Sequence, residues 1–299
     1  MTLQQLKYAI TVAETGTITE AANKLYISQP SLTNAIHELE KEMNIIIFNR
    51  TNKGISISKE GEDFLGYARQ VLEHAAILED KYKGNNGGKK KFCVSTQHYS
   101  FAVNAFVDLI KKIGQDEYDF SLRETQTYEI IEDVARMRSE IGILFLNDFN
   151  EKVITKILKS YDLEFHQLFV AKPHVFISRK HPLAQNQVIT NEELEQYPYL
   201  SFEQGEHNSF YFSEEIFSAT ERKKNIRVRD RATLFNLLIG LNGYTVCSGV
   251  IDKKLNGKDI IAAPLADESD MRIGYITHKK GRISRLGTTY LEALNKYFN

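Results

Sequence analysis

The run Gly84-Asn-Asn-Gly-Gly-Lys-Lys-Lys91 divides this chain. Glycine and asparagine favour turns, and three adjacent lysines repel one another, so neither a helix nor a strand is sustained there. Before it, apolar residues recur at helical spacing. From Phe92 onward, β-type apolar runs alternate with helical patterns, the signature of an α/β unit. A chain of 299 residues has room for two or three domains. Composition matters here for what it excludes. With 38 basic and 39 acidic side chains, the net charge of -1 provides no global field for nucleic acid or membrane, so any such binding must be local. Two cysteines, Cys93 and Cys247, cannot build a disulfide framework and fit a reducing, cytoplasmic setting. The opening Met1-Thr-Leu-Gln-Gln-Leu-Lys7 starts an amphipathic pattern and not a signal peptide. No apolar run approaches the ~20 residues of a membrane helix, so no membrane partner is expected.

Residues 1–58 read as short helices ending in a small β-ribbon. Thr2 and Gln5 form one capping box, and Thr17 and Glu20 a second. Leu3, Leu6, Ile10 and Ala13 mark the inner face of the first helix, which Gly16 ends. Ala21 and Ala22 are small enough to let another helix cross closely. Ser28 caps a third helix with Pro30 in its first turn, where a missing N–H costs nothing. That helix buries Leu32, Ile36, Leu39 and Met43 and stops at Asn44 in a left-handed conformation.

Two helices joined by a short turn form the helix-turn-helix pattern, whose second helix enters the major groove by its N-terminal end. Opposite the apolar face stand Gln29, Thr33, Asn34 and His37. Glutamine and asparagine pair bidentately with adenine, and threonine touches a thymine methyl. Pro30 adds an apolar edge, while Ser28, Ser31 and the helix N-terminal N–H groups suit phosphate. The ribbon that follows turns at Asn52-Lys53-Gly54, with Arg50 and Lys53 flanking a tip able to reach the DNA backbone. The competing reading is an ordinary solvated face, because residues 1–58 carry five basic and five acidic groups. Against it, the charges of the third helix are confined to its C-terminal half, at Glu38, Glu40, Lys41 and Glu42. Residues 59–88 read as a long helix followed by the linker. Phe64, Ala68, Val71, Ala75, Leu78 and Tyr82 form a heptad seam, so a dimer through this helix is expected.

These residues resemble the LysR-type transcriptional regulators. The likeness lies in Leu6, in Ala21-Ala22-x-x-Leu25-x-x-Ser28-Gln29-Pro30-Ser31-Leu32-x-x-x-Ile36-x-x-Leu39-Glu40, in Phe48-x-Arg50, and in Gly61. Asn44 and Ile47 stand where the family usually has glycine and leucine, and both keep the physical role. The resemblance implies an α/β chain with a winged helix-turn-helix head (1–58), a long coiled-coil linker helix (59–88) and a two-subdomain effector domain (89–299) like periplasmic binding proteins. Its first subdomain would span about 89–162 and 268–299, its second about 163–267. Arg179-Lys-His-Pro-Leu-Ala184 and Ile239-Gly-x-x-Gly-Tyr-Thr-Val-Cys247 match family segments, whereas Arg138-Ser-Glu-Ile141 departs from the usual Gly-x-Leu-Asp. The resemblance further implies double-stranded DNA and a small effector as partners, a homodimer that pairs into a tetramer, and RNA polymerase as a further contact.

Open α/β sheets bind ligands beyond the carboxyl ends of their strands. That places Thr96, Gln97, His98, Tyr99, Ser100, Thr125, Gln126, Thr127 and Asn147 from the first subdomain at the cleft. Ser201, Phe202, Glu203, Cys247 and Ser248 face them from the second. The N–H groups around Ser100 suit a carboxylate, so a polar or anionic metabolite is expected. No cofactor, metal site or enzymatic chemistry is expected: the eight histidines show no metal spacing, and no phosphate loop or nucleophile elbow exists. The basic run Arg222–Arg231 reads as a solvated helix end and strand. The expected function is a ligand-responsive regulator that binds a pseudo-palindromic promoter site. The rival is a small-molecule-binding protein whose N-terminal unit serves only for dimerisation.

Overall fold

The computed structural model describes residues 1–51, 54–83, 90–114, 117–251 and 258–298. The chain forms two compact units, Met1–Gly88 and Lys89–Asn299.

The first unit contains α1 (Leu3–Thr15), α2 (Ile18–Leu25), α3 (Gln29–Met43), the ribbon β1 (Phe48–Thr51) and β2 (Gly54–Ile57), and α4 (Lys59–Lys83). The Thr2–Gln5 box closes in both directions. At α2 the Thr17 half forms, its hydroxyl accepting the Glu20 N–H. Gly16 and Asn44 end α1 and α3 in the left-handed region, at φ 76° and 52°. Leu32, Ile36 and Leu39 are buried against Ala9, Val12, Ala21, Ala22, Ile47 and Leu65. Each such aliphatic contributes about 1.5–3 kcal/mol. The alanines, which leave no bulk at the crossing, let α3 sit close to α2.

Two details hold the ribbon to α3. The Glu40 carboxylate accepts the backbone N–H groups of Ile47 (2.7 Å) and Phe48 (3.0 Å). Gly61 lies against the Ile47 carbonyl, where a Cβ would stand 2.3 Å from the oxygen. Glu40, read from sequence as one of a group of solvated charges, is therefore a joint between helix and wing.

The second unit begins with β3 (Lys90–Thr96), α5 (Ser100–Ile113), β4 (Tyr118–Glu124), α6 (Thr127–Ala135), β5 (Ile141–Leu146), α7 (Glu151–Ser160) and β6 (Leu163–Ala171). It continues through β7 (His174–Ser178), α8 (Asn191–Leu194), β8 (Tyr199–Phe202), β9 (Asn225–Val228), α9 (Arg231–Leu241), β10 (Thr245–Cys247) and β11 (Ile260–Pro264). It closes with β12 (Met271–His278) and α10 (Arg285–Asn295). Five strands in the order β4-β3-β5-β12-β6 make the sheet of the first lobe. The β3 strand runs parallel to β4 and β5, and β12 returns antiparallel between β5 and β6. In the second lobe β7 lies between β10 and β11, and β8 pairs in parallel with β9. A parallel bridge, Tyr199 to Tyr244, links those two groups.

The chain crosses between lobes twice, from β6 to β7 and from β11 to β12. The β6 strand corrects the boundary expected at residue 163. It pairs along the whole of β12, so it belongs to the first sheet, and the second lobe starts at His174. Its eight-residue pairing with β12 holds it at the edge of that sheet, which a boundary drawn from family likeness did not weigh. The departure at Arg138-Ser-Glu also has a physical reason. Asp133, fully buried, is held by Arg138 Nε (3.0 Å), by Arg123 (2.9 Å) and by the Ser95 hydroxyl (2.7 Å). Glu140 accepts the Ser284 N–H (2.7 Å) at the start of α10. Among the described residues no helix is long and apolar enough to cross a membrane.

Candidate functional site

In the first unit the exposed end of α3 is a polar, uncharged surface. Ser28 caps the helix through the Ser31 N–H, and Ser28, Gln29, Pro30, Ser31, Asn34 and His37 are exposed. Thr33 is half-buried and donates to the Gln29 carbonyl at 2.9 Å, while the Gln29 amide donates to Thr33 Oγ1 at 3.3 Å. Gln29 and Thr33 thus hold each other, and Asn34 and His37 extend freely beside them. The three-residue turn before α3 supplies a residue that sequence reasoning missed. Tyr26, left-handed at φ 55°, is 96% exposed. It caps the end of α2, and its left-handed conformation turns the ring outward. Lys53 lies outside the described residues, as do the side chains of Arg50 and Tyr82.

The seam expected on α4 divides. Phe64 packs against the core of its own unit and Ala68 is buried, so both are already covered within one chain. They lie at the end of α4 that α1 crosses, which the heptad pattern does not register. Val71 and Leu78 remain exposed, together with Tyr67, and Ala75 is half-buried beside them.

In the second unit a narrow cavity opens between the two lobes, with about 40 Å³ open to water. That holds a few water molecules. His98, Tyr99, Ser100, Phe202, Cys247 and Ser248 line it. The other expected ligand residues have different partners. Thr96 donates to the Gln97 carbonyl. Gln97, fully buried, donates to Thr127 (2.6 Å) and accepts the Phe145 N–H (3.1 Å), so it ties strand ends together. Thr125 hydrogen-bonds Glu129, Asn147 folds back onto the Phe149 and Asn150 N–H groups, and Glu203 pairs with Arg229. The Thr127 N–H donates to Gln204 (3.0 Å), and the Gln126 amide turned end for end meets Gln204 and Gly205. Ser201 is half-buried on β8, away from the cavity lining. Residues at strand ends thus complete the framework more often than they face the cleft.

Besides His98, the cavity's ionisable side chains include Glu214, Glu215 and Arg231, none of them anticipated as cleft residues. Two residues before Ser100, the His98 N–H is already taken by a carboxylate of the chain itself. Glu214 accepts the His98 backbone N–H (2.8 Å) and meets its Nδ1 (2.9 Å), with both side chains almost fully buried. The imidazole stacks on Phe202 at 3.8 Å. Burial alone would push the His98 pKa down, but the charge and hydrogen bond of Glu214 override it and hold it above its ordinary value. Glu215 accepts the Phe202 N–H (2.8 Å), and burial, with Glu214 beside it, pushes its carboxyl up to about 8. Arg231, the first residue of α9, reaches across the lobes to Glu124 at 3.0 Å. It leaves Nη1 buried without a hydrogen bond, as is the Thr245 hydroxyl. The basic run Arg222–Arg231 is the exposed strand β9 leading to the start of α9, as expected, with Arg222 held over the Tyr199 ring at 4.4 Å and Arg231 turned into the cleft. The Cys247 thiol is pushed up strongly by burial, which leaves it inert at neutral pH.

The first unit is a winged helix-turn-helix and the second a two-lobed α/β fold with a cleft, and each unit has a family model of its own. The sequence model described as "Bacterial regulatory helix-turn-helix protein, lysR family" matches residues 3–62, and that of the "LysR substrate binding domain" matches residues 96–299. The chain belongs to the LysR family. It is 28% identical over 205 residues to an uncharacterized HTH-type transcriptional regulator, YnfL, of Escherichia coli K12, covering 67% of this chain and 65% of that one. It is 37% identical over 89 residues to the HTH-type transcriptional regulator ClcR of Pseudomonas putida, 30% of either chain. The chain therefore spans less than two thirds of these relatives. A full-length OxyR variant from Pseudomonas aeruginosa shares the fold, with a TM-score of 0.65 at 20% identity, covering 99% of this chain and 94% of that one.

Proposed function

We propose that this chain is a DNA-binding transcriptional regulator that responds to a small molecule in the cleft of its second unit. The observation that carries the reading is α3. Its apolar face is locked into the head while Gln29, Pro30, Asn34 and His37 stand exposed at its N-terminal half. Uncharged amides on a rigid helix read base edges, and Ser28, Ser31 and the wing, with Arg50 and Lys53, hold phosphates. Tyr26 adds a hydroxyl at the helix-turn-helix corner. Dimerisation through Tyr67, Val71 and Leu78 of α4 presents two heads to a pseudo-palindrome, and pairing of dimers through the second units makes a tetramer.

The effector is a small polar molecule. An anion must displace Glu214 from the His98 N–H, and the buried Arg231 Nη1 and Thr245 hydroxyl are then the donors that meet it. A ligand that binds one lobe arrangement better shifts the regulator between states. The relatives' names as transcriptional regulators support this reading over an enzyme. The test is a gel shift of the full-length chain on genomic fragments at several salt concentrations. Retention of particular fragments against scrambled competitor is expected. Equal loss of every fragment favours the rival in which the head only dimerises.

A further inference from the structure

We propose that His98, Glu214 and Glu215 form a proton-dependent latch that keeps the cleft of the second unit closed. The latch rests on the reading of that cleft as the effector site and adds the proton as a ligand of the same site.

The geometry is that of a strap. Residues 203–218 leave β8 in the second lobe, and from Gln204 to Phe212 they lie along the first lobe. Gln204 accepts the Thr127 N–H at the start of α6, and His207 stacks on Tyr128 at 3.6 Å. Tyr211 stacks on Phe149 at 4.8 Å, and Phe212 enters the core formed by Ile130, Leu146, Ile154 and Leu158. The strap then turns inward and delivers two adjacent acids to the cleft. Glu214 accepts the backbone N–H of His98 at the end of β3 and meets its ring Nδ1. Glu215, 3% exposed, binds the β8 backbone at Phe202. Two neighbouring carboxylates in a buried site cannot both be charged cheaply, so Glu215, the one without a cationic partner, keeps a proton. The Glu214 charge in turn keeps a proton on the imidazole.

Every titratable neighbour can be placed. Glu124 faces His98 from the end of β4 and is paired with Arg231 of α9, and Asp230 caps α9 nearby. Tyr99, Tyr199 and Cys247 face the acids from the β3–α5 turn, β8 and β10, and burial keeps all three protonated. His207, on the strap itself, is stacked outside this cluster.

The sign follows from linkage. Closed, the cleft holds protons on His98 and Glu215. Open, with water around them, both groups return toward ordinary values and release them. The closed form therefore binds more protons, and rising pH favours opening. The bias grows about tenfold per pH unit for each proton until Glu215 ionises in both forms near pH 8. Acidic conditions hold the strap down, and alkaline conditions free the N–H of His98 for another acceptor.

Hydrogen–deuterium exchange of the full-length chain from pH 6 to 9, corrected for the intrinsic exchange rate, reads the opening directly. Protection of strap peptides 203–218 should fall about tenfold or more per pH unit from pH 6 to 7.5 and level off above 8. Peptides of β5 should stay unchanged over the same range. Glu215→Gln, neutral at every pH and still able to accept the Phe202 N–H, should lose at least one proton's share of that slope. A flat wild-type strap, or a wild-type slope in Glu215→Gln, overturns the proposal. Should that variant unfold, infrared spectroscopy of the unmodified chain decides. A protonated carboxyl stretch present at pH 7 and gone above pH 8 supports the latch, and its absence at pH 6–7 overturns it. DNA retention measured on the same samples separates the two ideas. Fragment binding with a flat strap sinks the latch alone. A responsive strap in a chain that retains no DNA sinks the regulator reading and leaves the latch.

Discussion

Removing the Glu40 carboxylate should loosen the wing from the reading helix, and the cost can be worked from two hydrogen bonds. Glu40 Oε1 accepts from Ile47 N and Phe48 N, at 2.7 and 3.0 Å. Both donors belong to buried residues at the entry to the ribbon, and Ile47 is fully covered. Bonds to a charged acceptor contribute about 1.5–3 kcal/mol each, and a buried N–H left without a partner costs about 1–3 kcal/mol. The half-exposed position of Glu40 and entering water reduce that sum, so Glu40→Ala is expected to cost about 2–3 kcal/mol in the head. Glu40→Gln, which keeps an acceptor oxygen in place without its charge, should cost about 1 kcal/mol. For a unit of this size those figures correspond to roughly 8–24 °C and 4–8 °C in the midpoint of its thermal transition. Helical circular dichroism of the full-length chain measures this, with the exposed Glu38→Gln as the control. Glu40→Ala melting within 2 °C of wild type, or Glu40→Gln melting as low as Glu40→Ala, would refute the reasoning.

Gly61→Ala should lower the same transition, although alanine normally favours a helix interior by about 1 kcal/mol over glycine. The new Cβ would stand 2.3 Å from the Ile47 carbonyl oxygen, an overpacking that costs about 1–3 kcal/mol net, and a raised midpoint would contradict it. Asn34→Ala should cost about 1–3 kcal/mol of discrimination at one base position per half-site and leave the others unchanged, as read by binding to a set of single-base variants. Leu78→Asp puts a charge on an exposed apolar position of α4 and should shift the chain toward monomer in sedimentation velocity, while an unchanged mass would place the dimer contact elsewhere.

The head was largely legible from its residues because its signals are local. The Ser28 cap, Pro30, the left-handed Asn44 and the Leu32–Ile36–Leu39 part of the stripe each act within a turn or two of helix and appear as expected, whereas Met43, expected to be buried with them, is exposed at the helix end. The second unit was legible in outline, since from Phe92 onward apolar β-type runs alternate with helical patterns. The cleft was not. Strand-end position placed His98, Tyr99, Ser100, Phe202, Cys247 and Ser248 on its wall, but equally marked Thr96, Gln97 and Asn147, whose side chains close turns and strand ends. Nothing local distinguishes a polar residue that caps from one that faces a ligand. Glu214 and Glu215 lie in a stretch without helix or strand periodicity, and they reach the cleft only because distant contacts at Gln204, His207 and Phe212 steer the strap. The α4 seam failed at Phe64 and Ala68 for a related reason. A heptad describes which residues share a face, and the neighbouring α1 decides how much of that face is already covered.

Selection of bound duplexes from a random pool by the full-length chain, read by sequencing, tests the role of α3 most directly. Two related half-sites, spaced by whole helical turns, should be enriched, and Asn34→Ala should relax one symmetric pair of positions within them. A pool that stays random through successive rounds, with soluble and folded protein, would contradict the assignment of that helix as a reader of base edges.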